Sequence, residues 1–219
     1  MCSASWFLQE VNRVLKIKYF IQQSWLLIVS SFCFGLLIAA AEAAWSGKIE
    51  QNKIGKLDSL MKGLIIKADT FDLAIKDLIV PGEKGTQATT NIYKALDSAG
   101  KTVGFAFVAS GMGFAANIEL VIAVDPGCRQ IFGYKVLACS ETPGFGDRIN
   151  EEYFSSQFKG APVGRFQLAK TGDASQIDDT IVAISGATVT STAMVDTFNR
   201  YMEVIKQQLQ DKGLIVDVK

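Results

Sequence analysis

A stretch without charged side chains, at residues 19–41, constrains the fold of this chain more than any other feature. Its roughly 23 residues, folded as a helix, are long enough to cross about 30 Å of hydrocarbon. Trp25 and Trp45 lie near its two ends, where aromatic side chains commonly anchor a membrane helix in the interface. The sequence therefore predicts a transmembrane helix over residues 21–45.

A cleaved signal peptide is the alternative interpretation of this stretch, because Ala41, Glu42 and Ala43 resemble a small-x-small cleavage site. The apolar core of a signal peptide has only about 7–15 residues, so the longer stretch favours an uncleaved anchor. Residues 1–20 are then a cytoplasmic or interfacial segment. Basic residues hardly decide the orientation, since three precede the span and three follow it: Arg13, Lys16, Lys18, Lys48, Lys53 and Lys56.

The chain beyond the span predicts an α+β fold. Residues 46–90 are read as a juxtamembrane helix (47–66) and a connector (68–90) closed by a turn at Pro81 and Gly82. A strand-rich domain is predicted over residues 91–219. Its two antiparallel hairpins pair residues 91–96 with 101–110, and residues 117–125 with 130–138, with the second pair at the centre of the sheet.

Composition excludes several classes of function. The chain has 22 basic and 22 acidic residues and no histidine, so it lacks the basic surface expected of a nucleic-acid-binding protein and any histidine-based metal or catalytic site. The cysteines form no C-x-x-C pair, and the strand predicted between Cys128 and Cys139 would hold them about 35 Å apart. We therefore expect all four cysteines, Cys2, Cys33, Cys128 and Cys139, to be small buried residues without disulfides.

Two segments concentrate the residues of a candidate site. An apolar run at residues 181–184 meets the turn S-G-A-T at 185–188 and then an amphipathic helix, whose start offers backbone N–H groups to an anion. The alternative is that Ser185 or Thr190 merely caps this helix. Upstream, the loop E-T-P-G-F-G-D at residues 141–147 is too rich in glycine and proline to be a regular element.

The membrane span, the 141–147 loop and the S-G-A-T turn together resemble the G subunit of the Rnf electron-transport complex. A related family is the C subunit of the sodium-pumping NADH:quinone reductase. The resemblance covers roughly the whole chain and is strongest over the flavin-binding domain. It implies an extracytoplasmic domain that carries covalent flavin mononucleotide (FMN) on a single-pass protein of the inner membrane.

In that family the last residue of S-G-A-T carries FMN through a phosphoester, which implies Thr188 here. Thr190, Ser191 and Thr192 are chemically equal candidates by composition alone. The remaining cofactor-binding residues implied for this chain are small residues of the turn and residues of the upstream loop: Ser185, Gly186, Ala187, Thr142, Pro143, Gly144 and Phe145. A separate flavin transferase is implied to make the bond from FAD, and no metal site or catalytic residue is expected.

The function implied by the resemblance is an electron relay between ferredoxin and NAD redox partners, coupled to ion movement within the Rnf complex. Such a chain is a redox subunit and not an enzyme on its own. The C-type subunit of sodium-pumping NADH:quinone reductase is the nearer alternative, and an anchored assembly module without a redox centre is the alternative from another class. Val182 favours that alternative, because the family commonly has an acidic residue at this position.

Overall fold

The computed structural model describes residues 3–82 and 85–215, and the chain divides into two compact units, Met1–Lys53 and Ile54–Lys219. Cys2 and the last four residues lie outside the described residues. Helix α1 spans Ser3–Leu64. Its larger part forms the first unit, and its last residues, from Ile54, belong to the second. The predicted interfacial, membrane and juxtamembrane helices are thus segments of one helix, and no proline precedes Pro81 to interrupt it.

Within α1, the part at Gln22–Leu64 contains an 18-residue window with a mean hydropathy of 2.1. Its length and composition suit a membrane span, and no other helix of the described chain meets the same test. Large apolar side chains along this part face outwards, including Leu27, Phe32 and Ile38. Cys33 is exposed there too, so the expectation that it is buried in the protein is wrong.

The second unit is built on a five-stranded antiparallel sheet in the order β1-β2-β3-β4-β5. Its strands are β1 (Thr70–Pro81), β2 (Gln87–Leu96), β3 (Thr102–Met112), β4 (Asn117–Val124) and β5 (Ile131–Ala138). Both predicted hairpins are present, as β2–β3 and β4–β5. The second hairpin is not central, however: β5 is an edge strand, and its apolar side chains are covered by other elements.

The connector predicted at residues 68–90 is wrong, because it contains β1 and the beginning of β2. Register shifts in the β1–β2 ladder fall between Leu73 and Ile75 and between Ile75 and Leu78, and Asp77 has a positive φ of 50°. These bulges break the alternation of apolar and polar side chains on which a strand prediction depends. The sheet therefore begins before residue 91, and the limits of the FMN-binding domain remain a prediction.

Each face of the sheet is covered by a helix. The last turns of α1 place Leu57 and Met61 against one face, and Ile65 follows directly after the helix; all three meet Ala106 and Val121 there. The other face packs against α3 (Thr188–Asp211). The apolar stripe predicted for α3 is confirmed, since its six members are all buried in this core: Met194, Phe198, Tyr201, Met202, Ile205 and Leu209.

Short elements connect β5 to α3. The 141–147 loop runs into a 3₁₀ turn at Gly146–Asn150. The one-turn helix α2 (Glu152–Ser155) and a second 3₁₀ turn at Ser156–Phe158 follow. Strand β6 (Gln167–Ala169) then pairs in parallel with β7 (Thr180–Val182), which leads directly into the S-G-A-T turn. The α+β class and the antiparallel sheet with flanking helices are confirmed.

Cys128 and Cys139 are both free, as expected. Cys128 is buried, whereas Cys139 is only partly so. Burial raises the pKa of the Cys128 thiol to about 11, and the nearby Asp125 carboxylate adds to this effect. A thiol that stays neutral is a poor nucleophile, so Cys128 is a core residue and not a reactive one.

Candidate functional site

The S-G-A-T turn joins β7 to the first turn of α3 through a backbone that requires glycine at Gly186. This residue has a φ of +83°, and a Cβ placed on it would lie 3.2 Å from the ring of Phe145. Residues other than glycine are strained in this region of backbone conformation. The glycine therefore lets the turn and the aromatic side chain of the upstream loop approach each other closely.

The hydroxyl side chains near this turn do not cap α3, so the capping alternative is wrong. Ala187 occupies the N-cap position, and no side chain makes a cap hydrogen bond there. The Ser191 hydroxyl donates to the carbonyl of Ala187 and accepts from the N–H of Ile184, which ties the strand end to the helix. The Thr190 hydroxyl is turned towards the upstream loop and donates to Glu141.

A cavity of about 450 Å³ opens where the two predicted segments meet. It is lined by residues of the β3–β4 loop, the loop after β5 and the start of α3: Phe114, Glu141, Thr142, Phe145, Gly146, Gly186, Ala187, Thr188, Val189 and Thr190. Five of the predicted site residues are among them, namely Thr142, Phe145, Gly186, Ala187 and Thr188. Ser185, Pro143 and Gly144 belong to the same two segments, but they are not part of this lining.

The buried carboxylate of Glu141 connects the three segments of this site. One of its oxygens accepts the Thr190 hydroxyl at 2.8 Å and the N–H of Phe114 at 3.3 Å. The other accepts the N–H groups of Ala115 and Ala116 at 2.9 and 3.1 Å. Hydrogen bonds of this kind favour the ionised form of a carboxyl group.

The pKa of Glu141 reflects two opposing effects. Burial raises it, but the hydrogen bonds from Thr190 and from the backbone N–H groups of Ala116, Ala115 and Phe114 together outweigh burial. The pKa of this carboxyl is therefore lowered from its ordinary value. Glu141 is a carboxylate, with a full negative charge, at neutral pH.

Aromatic and aliphatic side chains at the cavity mouth are more exposed than their apolar character would suggest. Phe114 is 68% exposed, Val189 is 56% exposed and Phe145 is 53% exposed. Large exposed apolar side chains around a concave site indicate a surface that a ligand or partner covers. A flat apolar ring would bury these groups.

The residues present fit FMN. The cavity volume lies within the usual range of about 300–1,000 Å³ for small-molecule sites. The first turn of α3 supplies backbone N–H groups and the positive end of a helix dipole at Thr188, where the phosphate would sit. Phe114, Phe145 and Val189 line the cavity and could cover an isoalloxazine ring.

The roles of Glu141, Gly146, Phe114, Val189 and Thr190 were not anticipated from the sequence. Glu141 and Gly146 belong to the 141–147 loop, whose composition marked it as unusual, but nothing in the sequence indicated which side chain would point inwards. A Cβ on Gly146 would lie 2.4 Å from a carboxylate oxygen of Glu141, so this glycine makes room for the buried charge. Phe114 lies in the loop between β3 and β4, and no pattern in the neighbouring sequence indicates that it belongs to a binding site.

Substitution of Gly186 by alanine tests the requirement for glycine in the turn. We expect Gly186→Ala to lower the free energy of unfolding by about 1–2 kcal/mol, because alanine is strained at positive φ and its Cβ presses on Phe145. Gly164→Ala is the control, since that glycine has ordinary φ and open space around its Cβ. Denaturant unfolding of both variants measures the difference, and equal stabilities would contradict this role of Gly186.

Comparison with known proteins identifies the family of the second unit. Residues 113–203 match the FMN-binding domain family, a span that contains the whole cavity lining. Helix α3 contributes the last part of the matched span, up to Glu203. The site described above therefore lies inside a recognised FMN-binding domain.

Three curated relatives are G subunits of ion-translocating complexes. The G subunit of the Shewanella baltica ion-translocating oxidoreductase complex is 30% identical over 78% of this chain and 81% of its own length. That of Methanosarcina acetivorans is 35% identical over 53% of this chain and 58% of its own length. The G subunit of the proton-translocating ferredoxin:NAD(+) oxidoreductase complex of Clostridium ljungdahlii is 27% identical over 82% of this chain and 88% of its own.

A solved structure agrees with these relatives. The crystal structure of Shewanella oneidensis NqrC superimposes with a TM-score of 0.54 at 25% identity, covering 68% of this chain and 72% of that one. The resemblance drawn from the membrane span, the 141–147 loop and the S-G-A-T turn is thus confirmed by sequence and by fold. This chain belongs to the family of G subunits of ion-translocating oxidoreductase complexes.

Proposed function

We propose that this chain is a membrane-anchored electron-transfer subunit of an Rnf-type complex and carries FMN as a phosphoester on Thr188. Its membership of the G-subunit family and its FMN-binding domain support the function and the cofactor. The apolar part of α1 supports the anchor. The choice of Thr188 as the attachment residue rests on its position: it lines the cavity and is the first residue of α3.

The neighbouring hydroxyls are less suitable as attachment points. Thr190 is 1% exposed and donates its proton to Glu141, while Ser191 is fully buried and bonded within the turn. Thr192 is exposed, but its hydroxyl donates to the carbonyl of Thr188 and it is not among the residues of the cavity lining. Thr188 is both exposed and at the cavity, so a flavin attached to it can fold back into the site.

Attachment from FAD is a balanced exchange of phosphorus–oxygen bonds. In this exchange the Thr188 hydroxyl oxygen would attack the flavin-side phosphorus, the bond from that phosphorus to the bridging oxygen would break, and AMP would leave. The hydroxyl proton must pass to a base. Histidine is the usual base in such a step, and this chain has none. We assign that base to a separate flavin transferase.

The remaining residues of the site would hold the attached cofactor. The N–H groups at the start of α3 would bind the phosphodiester, which retains one negative charge. Phe114 and Phe145 would exclude water from the flavin ring. The bound flavin supplies the electron-accepting and electron-donating chemistry, and covalent attachment keeps it from diffusing away.

We propose that the flavin domain lies on the extracytoplasmic side of the inner membrane. Its partners there are other subunits of the complex, through which electrons pass between ferredoxin and NAD couples as ions move. The C-type subunit of sodium-pumping NADH:quinone reductase is the second candidate, for which the superposition on NqrC gives weaker support than the G-subunit relatives give to the first. The genes that neighbour the chain's own gene distinguish the two complexes.

In-gel fluorescence tests the proposal of a covalent flavin. The full chain, produced with a flavin transferase, should give a band that fluoresces under ultraviolet light after denaturing electrophoresis. The same chain produced without the transferase should give a dark band, because noncovalent flavin is lost on denaturation. A dark band in the presence of the transferase would refute covalent attachment of the flavin.

A further inference from the structure

Glu141 places a formal negative charge at the wall of the flavin cavity. Glu141 is only 6% exposed, and the other described residues that line this cavity are uncharged. All four of its hydrogen-bond donors are neutral: the Thr190 hydroxyl and the N–H groups of Phe114, Ala115 and Ala116. These donors stabilise the carboxylate without supplying a compensating positive charge.

We propose that Glu141 sets the redox potential of the flavin by disfavouring the added negative charge of the reduced ring. The inference rests on the proposed function, because it requires FMN in this cavity. Two-electron reduction at pH 8 brings two electrons and one proton to the ring, which passes from neutral to singly negative. A nearby buried carboxylate makes that change less favourable, since charge interactions are strong where water is excluded.

The phosphate of the cofactor does not change this effect. Its charge is the same in the oxidised and reduced states, so its repulsion by Glu141 cancels in the potential. The ring alone changes charge. Glu141 is thus a residue that tunes the cofactor, and its hydrogen bonds to the β3–β4 loop and to α3 are what keep the charge in place.

Two substitutions change the electrostatic effect of Glu141 on the ring in opposite senses. Glu141→Gln removes the carboxylate at nearly constant shape, so the midpoint potential should rise above that of the wild type. Thr190→Val keeps the carboxylate but removes one donor that stabilises it, so more of the negative charge acts on the ring and the potential should fall. Simple loosening of the site would move both variants in the same direction.

The test is a redox titration at pH 8 of the full chain in detergent, loaded with FMN by a flavin transferase. Dithionite supplies the two electrons and is oxidised to sulfite, the proton comes from solvent, and absorbance of the flavin reports reduction. The expected order of midpoint potentials is Glu141→Gln above wild type and Thr190→Val below it. Any other order of the three overturns the proposal.

A second comparison keeps the test decisive if Glu141→Gln does not fold or retains no flavin. Thr190→Val alone must then titrate below the wild type, and an equal or higher potential overturns the role of Glu141. Failure of the proposed function gives a different result. In that case the wild-type chain itself has no flavin absorbance to titrate.

Discussion

Thr188→Ala is expected to abolish covalent flavin completely. The substitution removes the oxygen that forms the phosphoester, and no other hydroxyl in the S-G-A-T turn region is both exposed and at the cavity. In-gel fluorescence after denaturing electrophoresis should therefore fall from the wild-type level to background. The substitution lies at an exposed position at the start of α3, so the protein should remain folded and in the membrane.

Thr192→Ala is the matched control for this loss. Thr192 is also an exposed threonine on α3, one turn beyond Thr188, and its hydroxyl only donates to the Thr188 carbonyl. This variant should fluoresce at the wild-type level. A dark Thr192→Ala band beside a fluorescent Thr188→Ala band would reverse the assignment of the attachment site.

Phe198→Ala is expected to have the largest effect on stability. Phe198 is fully buried, and its ring centroid lies 4.3 Å from that of Phe158, 5.6 Å from that of Tyr134 and 6.0 Å from that of Phe166. Truncation leaves a cavity between α3 and the sheet, which should lower the free energy of unfolding by about 3–5 kcal/mol.

Phe114→Ala removes the same atoms from an exposed position and serves as the control. Its effect on the free energy of unfolding should stay within about 0.5 kcal/mol. Pulse proteolysis in urea suits both measurements, because all three tryptophans, Trp6, Trp25 and Trp45, lie in α1 and would not report on the sheet. An equal decrease in the free energy of unfolding in the two variants would contradict the role of Phe198 in stabilising the core.

The regular elements of the domain could be predicted because their side-chain patterns are local. Helix α3 repeats its apolar residues at helical spacing, and hairpins β2–β3 and β4–β5 are bounded by turns at Gly100 and Gly127. Strand β1 could not be predicted, since its bulges and the positive φ of Asp77 disrupt the alternation. Pairing with β2, a contact distant in sequence, determines its conformation.

The candidate site could be predicted only in part. Thr188 and Phe145 belong to short motifs that are visible in the sequence, and the fold brings both to one cavity. The hydrogen bonds from Thr190 and from the Phe114 loop to Glu141 join residues 49 and 27 positions apart, a geometry that no local pattern indicates. The same fold assigns the Thr190 and Ser191 hydroxyls to structural bonds, a distinction that composition could not make.

The measurement that tests the central claim most directly is peptide mapping by mass spectrometry of the full chain isolated with its flavin. The account predicts one modified peptide, heavier by the mass of FMN less one water, with fragment ions that locate the addition on Thr188. An unmodified peptide spanning residues 181–192, or an addition located on Thr190, Ser191 or Thr192, would contradict it.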